Sequence, residues 1–305
     1  MDTSVAGILD LDIDLHPYDD ARRRTFRSVR GAPGDSRLWT LDWPVLARRA
    51  TVPVLACLLV ASRAFTLRAQ DNYEIQVYEA ETLAPRTTMI ELHSNFTLDG
   101  RKQIDGRLWP TEDALHETLE ITQGLTPWFE TGFYVFTSAR SGQGWQWVGD
   151  HIRPRVRAPE TWHLPVGLGL SAEVGYQRPE VSVDAWTLEV RPIIDKQIGQ
   201  WYVALNPALE RTLRGPSVSR GVEFSPAGTV GYDASKAVNL GLEYYGSWGP
   251  MSGFDPIQAQ QHQIFAVANL NLDPAWELNA GFGEGFTRST DHLIFKMILG
   301  RRVSW

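Results

Sequence analysis

The sequence predicts an all-β protein, a closed antiparallel up-and-down transmembrane β-barrel of about 12 strands, on three observations. Twelve stretches of period-two alternation follow one another from Thr87 to Trp305. Their connections are short and longer in turn, and tryptophans gather near the strand ends. The clearest stretch is Leu164 to Gln177. Leu164, Val166, Leu168, Leu170, Ala172, Val174 and Tyr176 share one face, and Pro165, Gly167, Gly169, Ser171, Glu173, Gly175 and Gln177 the other. Successive strand side chains point to opposite sides, so such a segment lies between an oily medium and a wet one.

Bulk composition points elsewhere, because 43% hydrophobic and 21% charged residues with a mean hydropathy of -0.24 suit an ordinary soluble protein. A membrane strand needs only about 9–11 residues, half of them facing lipid, so averages hide it. The one compact apolar run is Ala50 to Ala61, directly after Arg48 and Arg49. A basic flank, an apolar core and small-residue exits at Ser62-Arg63-Ala64 or around Ala69-Gln70 predict a signal peptide over residues 47–70. The run falls short of the roughly 20 apolar residues of a spanning helix. Residues 1–46, rich in Asp and Arg and without sustained periodicity, are an unassigned extension consistent with a misassigned start. Residues 71–86 form a periplasmic lead-in, with YEIQVYEAET (Tyr73 to Thr82) as an alternative extra strand, and residues 87–305 form the barrel.

Of the chain's 29 Lys and Arg and 36 Asp and Glu, residues 1–70 hold 10 and 8, which leaves the remainder at a net charge of −9 and speaks against a nucleic-acid partner. The single cysteine, Cys57, lies inside the signal, which leaves the mature part without thiol or disulfide chemistry.

Taken in order, strands are expected near 87–98, 114–124, 128–138, 146–157, 163–177, 184–197, 200–213, 221–233, 237–248, 260–271, 275–287 and 291–303. Tight connections follow the second, sixth, eighth and tenth, as periplasmic turns do. Asp99 to Asp113, Ala139 to Trp145, Arg214 to Arg220 and Gly249 to Ala259 are longer and would face outward. Trp128, Trp162, Trp201 and Trp276, with Tyr232 and the terminal Trp305, cluster near the inner ends. Trp145, Trp147, Trp186, Trp248 and Phe286 cluster near the outer ends, so these rings are expected at the membrane interfaces. Trp305 closes the last strand, through which barrel-assembly machinery would engage the chain. Two features resist the scheme. Pro154, Pro165, Pro192, Pro207 and Pro226 fall inside proposed strands, and the third strand runs Phe133, Tyr134, Val135, Phe136 without alternation.

The polar face carries Glu91, Glu120, Glu173, Glu189, Asp195, Glu210, Glu223, Asp233, Glu243 and Glu277 against Arg153, Arg155, Arg157, Arg191, Lys296 and Arg302. Charges on the apolar face, such as Glu117, Asp150, Lys196, Arg211 and Glu284, fall near strand ends, where lipid tolerates them. The charged face is therefore expected to line a lumen of modest bore. Arg153, Arg155 and Arg157 side by side, with acids on the eighth to eleventh strands roughly opposite, predict a transverse field across a narrow aqueous path. The other reading is a set of ion pairs closing a plugged lumen.

GVEFSP (Gly221 to Pro226), GLEYYG (Gly241 to Gly246), the stretch Gly253 to Phe265, WELNAGFGEGFT (Trp276 to Thr287) and DHLIFKMILGRR (Asp291 to Arg302) resemble bacterial outer-membrane proteins of the phenol-degradation MetA-pathway type. That resemblance implies an outer-membrane barrel for uptake of aromatic or other hydrophobic compounds, with lipid and a small solute as partners. An outer-membrane lipid hydrolase would need a Ser/His pair on the lipid-facing rim. His262, with Glu284 beside it, is the nearest candidate, yet Leu242, Tyr244, Gly246 and Trp248 on the preceding strand supply no nucleophile, so no enzyme is expected. No cofactor is expected either, and His93, His116, His151 and His292 sit on separate strands, which predicts no metal site.

Overall fold

Period-two patterning becomes a closed sheet in the computed structural model, which describes residues 72–305. The extension over 1–46 and the signal peptide over 47–70 lie outside the described residues. The strands are β1 (Thr87–Asp99), β2 (Ala114–Thr126), β3 (Phe129–Arg140), β4 (Gly144–Arg157), β5 (Gly167–Gln177), β6 (Trp186–Ile198), β7 (Trp201–Arg214), β8 (Val222–Asp233), β9 (Val238–Ser247), the two-residue β10 (Gly249–Pro250), β11 (Gln261–Asp273), β12 (Trp276–Gly285) and β13 (Leu293–Ser304). Each of the twelve long strands pairs antiparallel with its chain neighbours, and β1 pairs with β13 from Thr87↔Ser304 to Asp99↔Leu293. β10 only extends the edge of β8, through Gly249↔Phe224 and Pro250↔Glu223. Among the described strands closure leaves no long strand with a free edge, the condition for backbone to survive in hydrocarbon.

Both ends of the barrel chain lie on the side of the tight turns Pro127–Trp128, Gly199–Gln200 and Pro274–Ala275. Two connections break the expected rhythm. The β3–β4 link spans only 141–143, and the turn-side β4–β5 link over 158–166 is long and carries a short 3-10 helix, Glu160–Trp162.

Leu168, Leu170, Ile194, Leu205, Leu240, Leu242 and Phe282 are exposed on the outer face, whereas Glu91, Glu120, Arg153, Glu243 and Lys296 are buried within. Trp128, Trp162, Trp201, Trp276 and Trp305 stand exposed at the turn end, and Trp145, Trp147 and Trp186 at the loop end. Trp147 stacks on Tyr176 at 5.7 Å, and Trp201 meets Tyr232 edge-on at 5.0 Å. Trp248 is half-buried, held by Phe224 and Phe254 and donating its indole N–H to Tyr244 Oη at 2.9 Å. Leu242 is 58% exposed at the middle of β9. Leu242→Arg is expected to cost about 2–4 kcal/mol in urea-driven unfolding from lipid vesicles, the range for a cation at the bilayer midplane.

The third strand alternates after all. Phe133 and Val135 are 51% and 44% exposed outside, while Tyr134 and Phe136 are 1% and 0% exposed inside. An oily patch on the wet face needs an apolar partner in the lumen. The prolines find a similar explanation. The β6–β7 ladder has no pairing between Val190↔Leu209 and Ile194↔Leu205, and that gap holds Pro192 and Pro207. Pro192 lies opposite Leu170 and Pro207 opposite Pro226, so three prolines form one row across β6, β7 and β8. Pro154 sits in a second gap, between Ile152↔Val174 and Arg155↔Ser171. Proline has no N–H to give, so the wall is loosely laced at these places. Pro165 lies in the β4–β5 connection, outside the strands.

Candidate channel lumen

The segment 72–86, expected below the barrel or as an extra strand, lies inside it. Asn72, Tyr73, Ile75, Tyr78 and Ala80 are all buried, and the segment's backbone is held by side chains from seven strands. Asn95 Nδ2 of β1 donates to Asn72 O at 2.8 Å and Thr118 Oγ1 of β2 to Tyr73 O at 2.7 Å. Lys296 Nζ of β13 donates to Ile75 O at 3.0 Å. Asn206 of β7 accepts from Tyr78 N at 2.7 Å and donates to Tyr78 O at 3.0 Å. Ala80 N donates to Asp195 of β6 at 2.8 Å, and Leu83 N to Glu130 of β3 at 2.6 Å. Arg155 Nη1 and Nη2 of β4 donate to Glu79 O at 3.2 Å and Glu81 O at 2.9 Å. Only the inside of a closed barrel is reached by all seven strands at once. Buried backbone groups need partners, and here polar wall side chains supply what a neighbouring strand would.

Apolar side chains of the segment each meet a matching patch of wall. Tyr73 packs with Tyr134, Phe136 and Val148; Ile75 with Tyr245, Phe265, Val267 and Ile294; Tyr78 and Ala80 with Ile193. Ile193 and Asn206 lie in or beside the proline gap, so the loosely laced wall is where Tyr78 docks. At the loop end Asp291 accepts from Asn72 Nδ2 and from Thr111 Oγ1, both at 2.6 Å, tying the segment to two connections. In the first of these, Glu112 is held below the usual carboxylate range by the Gly100 N–H, with Lys102 beside it. At the turn end the segment passes so close to β2 that a Cβ at Gly124 would stand 2.1 Å from Ala84 O. The chain then reverses at Arg86, whose φ of 63° is left-handed, and enters β1.

Charges are paired locally. Arg153 binds Glu120 at 2.7 Å, Arg155 binds Glu130 at 2.6 Å, and Arg157 binds Glu160 at 2.7 Å at the turn-end rim. Arg191 is engaged by Glu189 at 2.6 Å and lies 3.9 Å from Glu74. Lys296 pairs with Glu243, His151 with Glu173, Arg302 with Glu277, and Arg220 with Glu223. The expected field between the β4 arginines and the acids of the eighth to eleventh strands is therefore replaced by short-range pairs, with the segment between the two walls. The sequence signal that marks this arrangement is the apolar pair Tyr134 and Phe136 on the wet face.

Two cavities flank the segment. One of about 200 Å³ toward the loops is lined by Tyr73, Glu74, Glu173, Glu189, Arg191 and Glu210 among others. A larger one of about 900 Å³ runs along residues 76–84 to the turn end, lined by Glu91, Arg153, Arg155, Glu243, Glu277 and Lys296 among others. Outside, the ring nitrogens of His262 contact Tyr244 Oη at 2.8 Å and Gln260 Oε1 at 2.9 Å, so neither is aimed at a serine.

No family model and no curated protein matches the chain, so the MetA-pathway resemblance gains no support there. Among solved structures, an outer-membrane channel from Pseudomonas putida F1 is similar with a TM-score of 0.50 at 14% identity, over 75% of this chain and 100% of that one. KdgM porin gives 0.44 at 10% identity, over 70% and 98%. The outer membrane protein Omp33 of Acinetobacter baumannii gives 0.41 at 8% identity, over 72% and 98%. At 14% identity the likeness to the first of these concerns the fold alone, a transmembrane barrel.

Proposed function

We propose that this barrel sits in the bacterial outer membrane as a narrow channel for small solutes, with residues 72–86 as its internal constriction. The observation that carries the reading is the cavity of about 900 Å³ running along the segment to the turn end, walled by charged and polar groups. A barrel serving only as a scaffold has no need of that volume, since apolar residues fill small barrels completely. Solutes pass where the segment leaves room or yields, and ring girdles at both ends hold the wall in lipid. The β13 strand is where we expect barrel-assembly machinery to engage the chain.

The solute class we favour is aromatic acids. The Tyr78 ring lies 4.0 Å from the Arg153 guanidinium, 4.7 Å from that of Arg191 and 5.6 Å from that of Arg155. Three guanidinium groups, each also paired with a carboxylate, surround the protein's own ring there, and a flat π-system bearing negative charge would take that place where Tyr78 yields it. Proteoliposome swelling tests this reading. Benzoate-sized acids are expected to enter faster than neutral sugars of equal mass. Identical rates, or no permeation by the protein with or without residues 72–84, would contradict it.

A further inference from the structure

We infer that the lumen wall carries a binding site for one divalent transition-metal ion, built from Glu91, His93 and Glu120. Antiparallel register sets Glu91 of β1 directly opposite Glu120 of β2, with His93 two residues further along the same face. One ligand atom from each of the three lies within 4.8 Å of the others. To meet a cation at coordination distances of about 2.0–2.2 Å the three side chains have only to close in by a few tenths of an ångström.

Burial separates this cluster from an ordinary acidic patch. His93 is 0% exposed, Nε2 stands 3.2 Å from Glu120 Oε2, and among the described residues Nδ1 has no hydrogen-bond partner. Among the described residues Glu120 Oε2 has no partner of its own other than that ring nitrogen. The other oxygen, Oε1, accepts from Arg153 Nη2 at 2.7 Å and from Thr122 Oγ1 at 2.6 Å. Those two donors fix the carboxylate so that its free oxygen faces the imidazole, as outer partners of a metal ligand do. Buried polar atoms left without partners are costly, by about 1–3 kcal/mol each, and a bound cation would satisfy several at once.

Ligand chemistry narrows the ion. One imidazole with two carboxylates suits zinc or manganese better than calcium, which takes oxygen ligands. Glu91 and Glu120 also line the large cavity, so positions not filled by the protein open toward water on the turn-end side of the segment. Arg153, bound to Glu120, is the nearby positive group, and Glu277, bound to Arg302, sits at the level of Glu91 across Gly300.

The test is calorimetric titration of the EDTA-stripped full chain, folded in detergent, with zinc chloride. The wild type is expected to show one saturable site, weakened at least tenfold in both Glu91→Gln and His93→Gln, with calcium failing to compete. Heat-shifted gel mobility verifies that each variant is folded. Spin-echo spectra of manganese bound to the wild type add a readout that needs no variant, expected to show modulation from a single imidazole nitrogen. Absence of saturable zinc binding, undiminished affinity in the folded variants, or manganese spectra without nitrogen modulation would overturn the site.

Discussion

Deleting residues 72–84 is expected to raise single-channel conductance in planar bilayers at least several-fold while leaving a folded barrel. The wall does not depend on the segment for its main-chain bonds, because every long strand is laddered to two neighbours and β1 closes on β13. What the segment occupies is the bore, and twelve strands enclose more room than the eight-stranded barrels that side chains alone can fill. The truncated form is also expected to lose discrimination, since Arg153 and Arg155 keep Glu120 and Glu130 as partners while the Tyr78 ring is gone. Conductance equal to that of the full chain would place the constriction elsewhere.

Lys296→Met is expected to destabilise the barrel by about 3–5 kcal/mol, the cost of stranding one member of a buried ion pair. Lys296 is 0% exposed, pairs with Glu243, and donates to Ile75 O at 3.0 Å. Its loss leaves the Glu243 carboxylate with the Tyr245 hydroxyl at 2.6 Å but no countercharge, and frees a carbonyl of the segment. The partner variant Glu243→Gln in the same chain is expected to restore about half of that loss, because no unpaired charge then remains. Arg157→Ala is the contrast. Its partner Glu160 has a side chain 82% exposed, so less than about 1 kcal/mol is expected. Urea titrations followed by tryptophan emission distinguish the two, and equal effects would deny any special role to the buried pair.

The barrel itself was legible because each strand announces itself locally. A lipid-facing side chain recurs every second residue, and proposed strands such as 200–213 and 221–233 differ from Trp201–Arg214 and Val222–Asp233 by at most one residue at a boundary. The placement of 72–86 was not legible, since YEIQVYEAET alternates equally well for an edge strand and for a chain whose two sides meet opposite walls. Its partners are single side chains drawn from seven strands, and such long-range contacts leave no period to read. Tyr134 and Phe136 held the missing clue, two large apolar residues on a face that otherwise carries charge. The proline row needed strand register: Pro192, Pro207 and Pro226 are 15 and 19 residues apart in sequence and become neighbours only once β6, β7 and β8 are aligned. Ion-pair partners are not legible in the charge pattern either, because Arg153 turns to Glu120 and Arg155 to Glu130 on neighbouring strands instead of facing acids across water. His93 looked isolated on its own strand, and only cross-strand pairing set it beside Glu120.

The chain threads its own bore, with Tyr78 at the midpoint of the threaded stretch. Replacing Tyr78 with benzoyl-phenylalanine and irradiating the protein in vesicles tests that directly. Covalent attachment to peptides bearing Tyr134, Ile193 or Asn206 is predicted, as these residues surround the ring and its backbone. Attachment to lipid, or none at all to the wall strands, would contradict it.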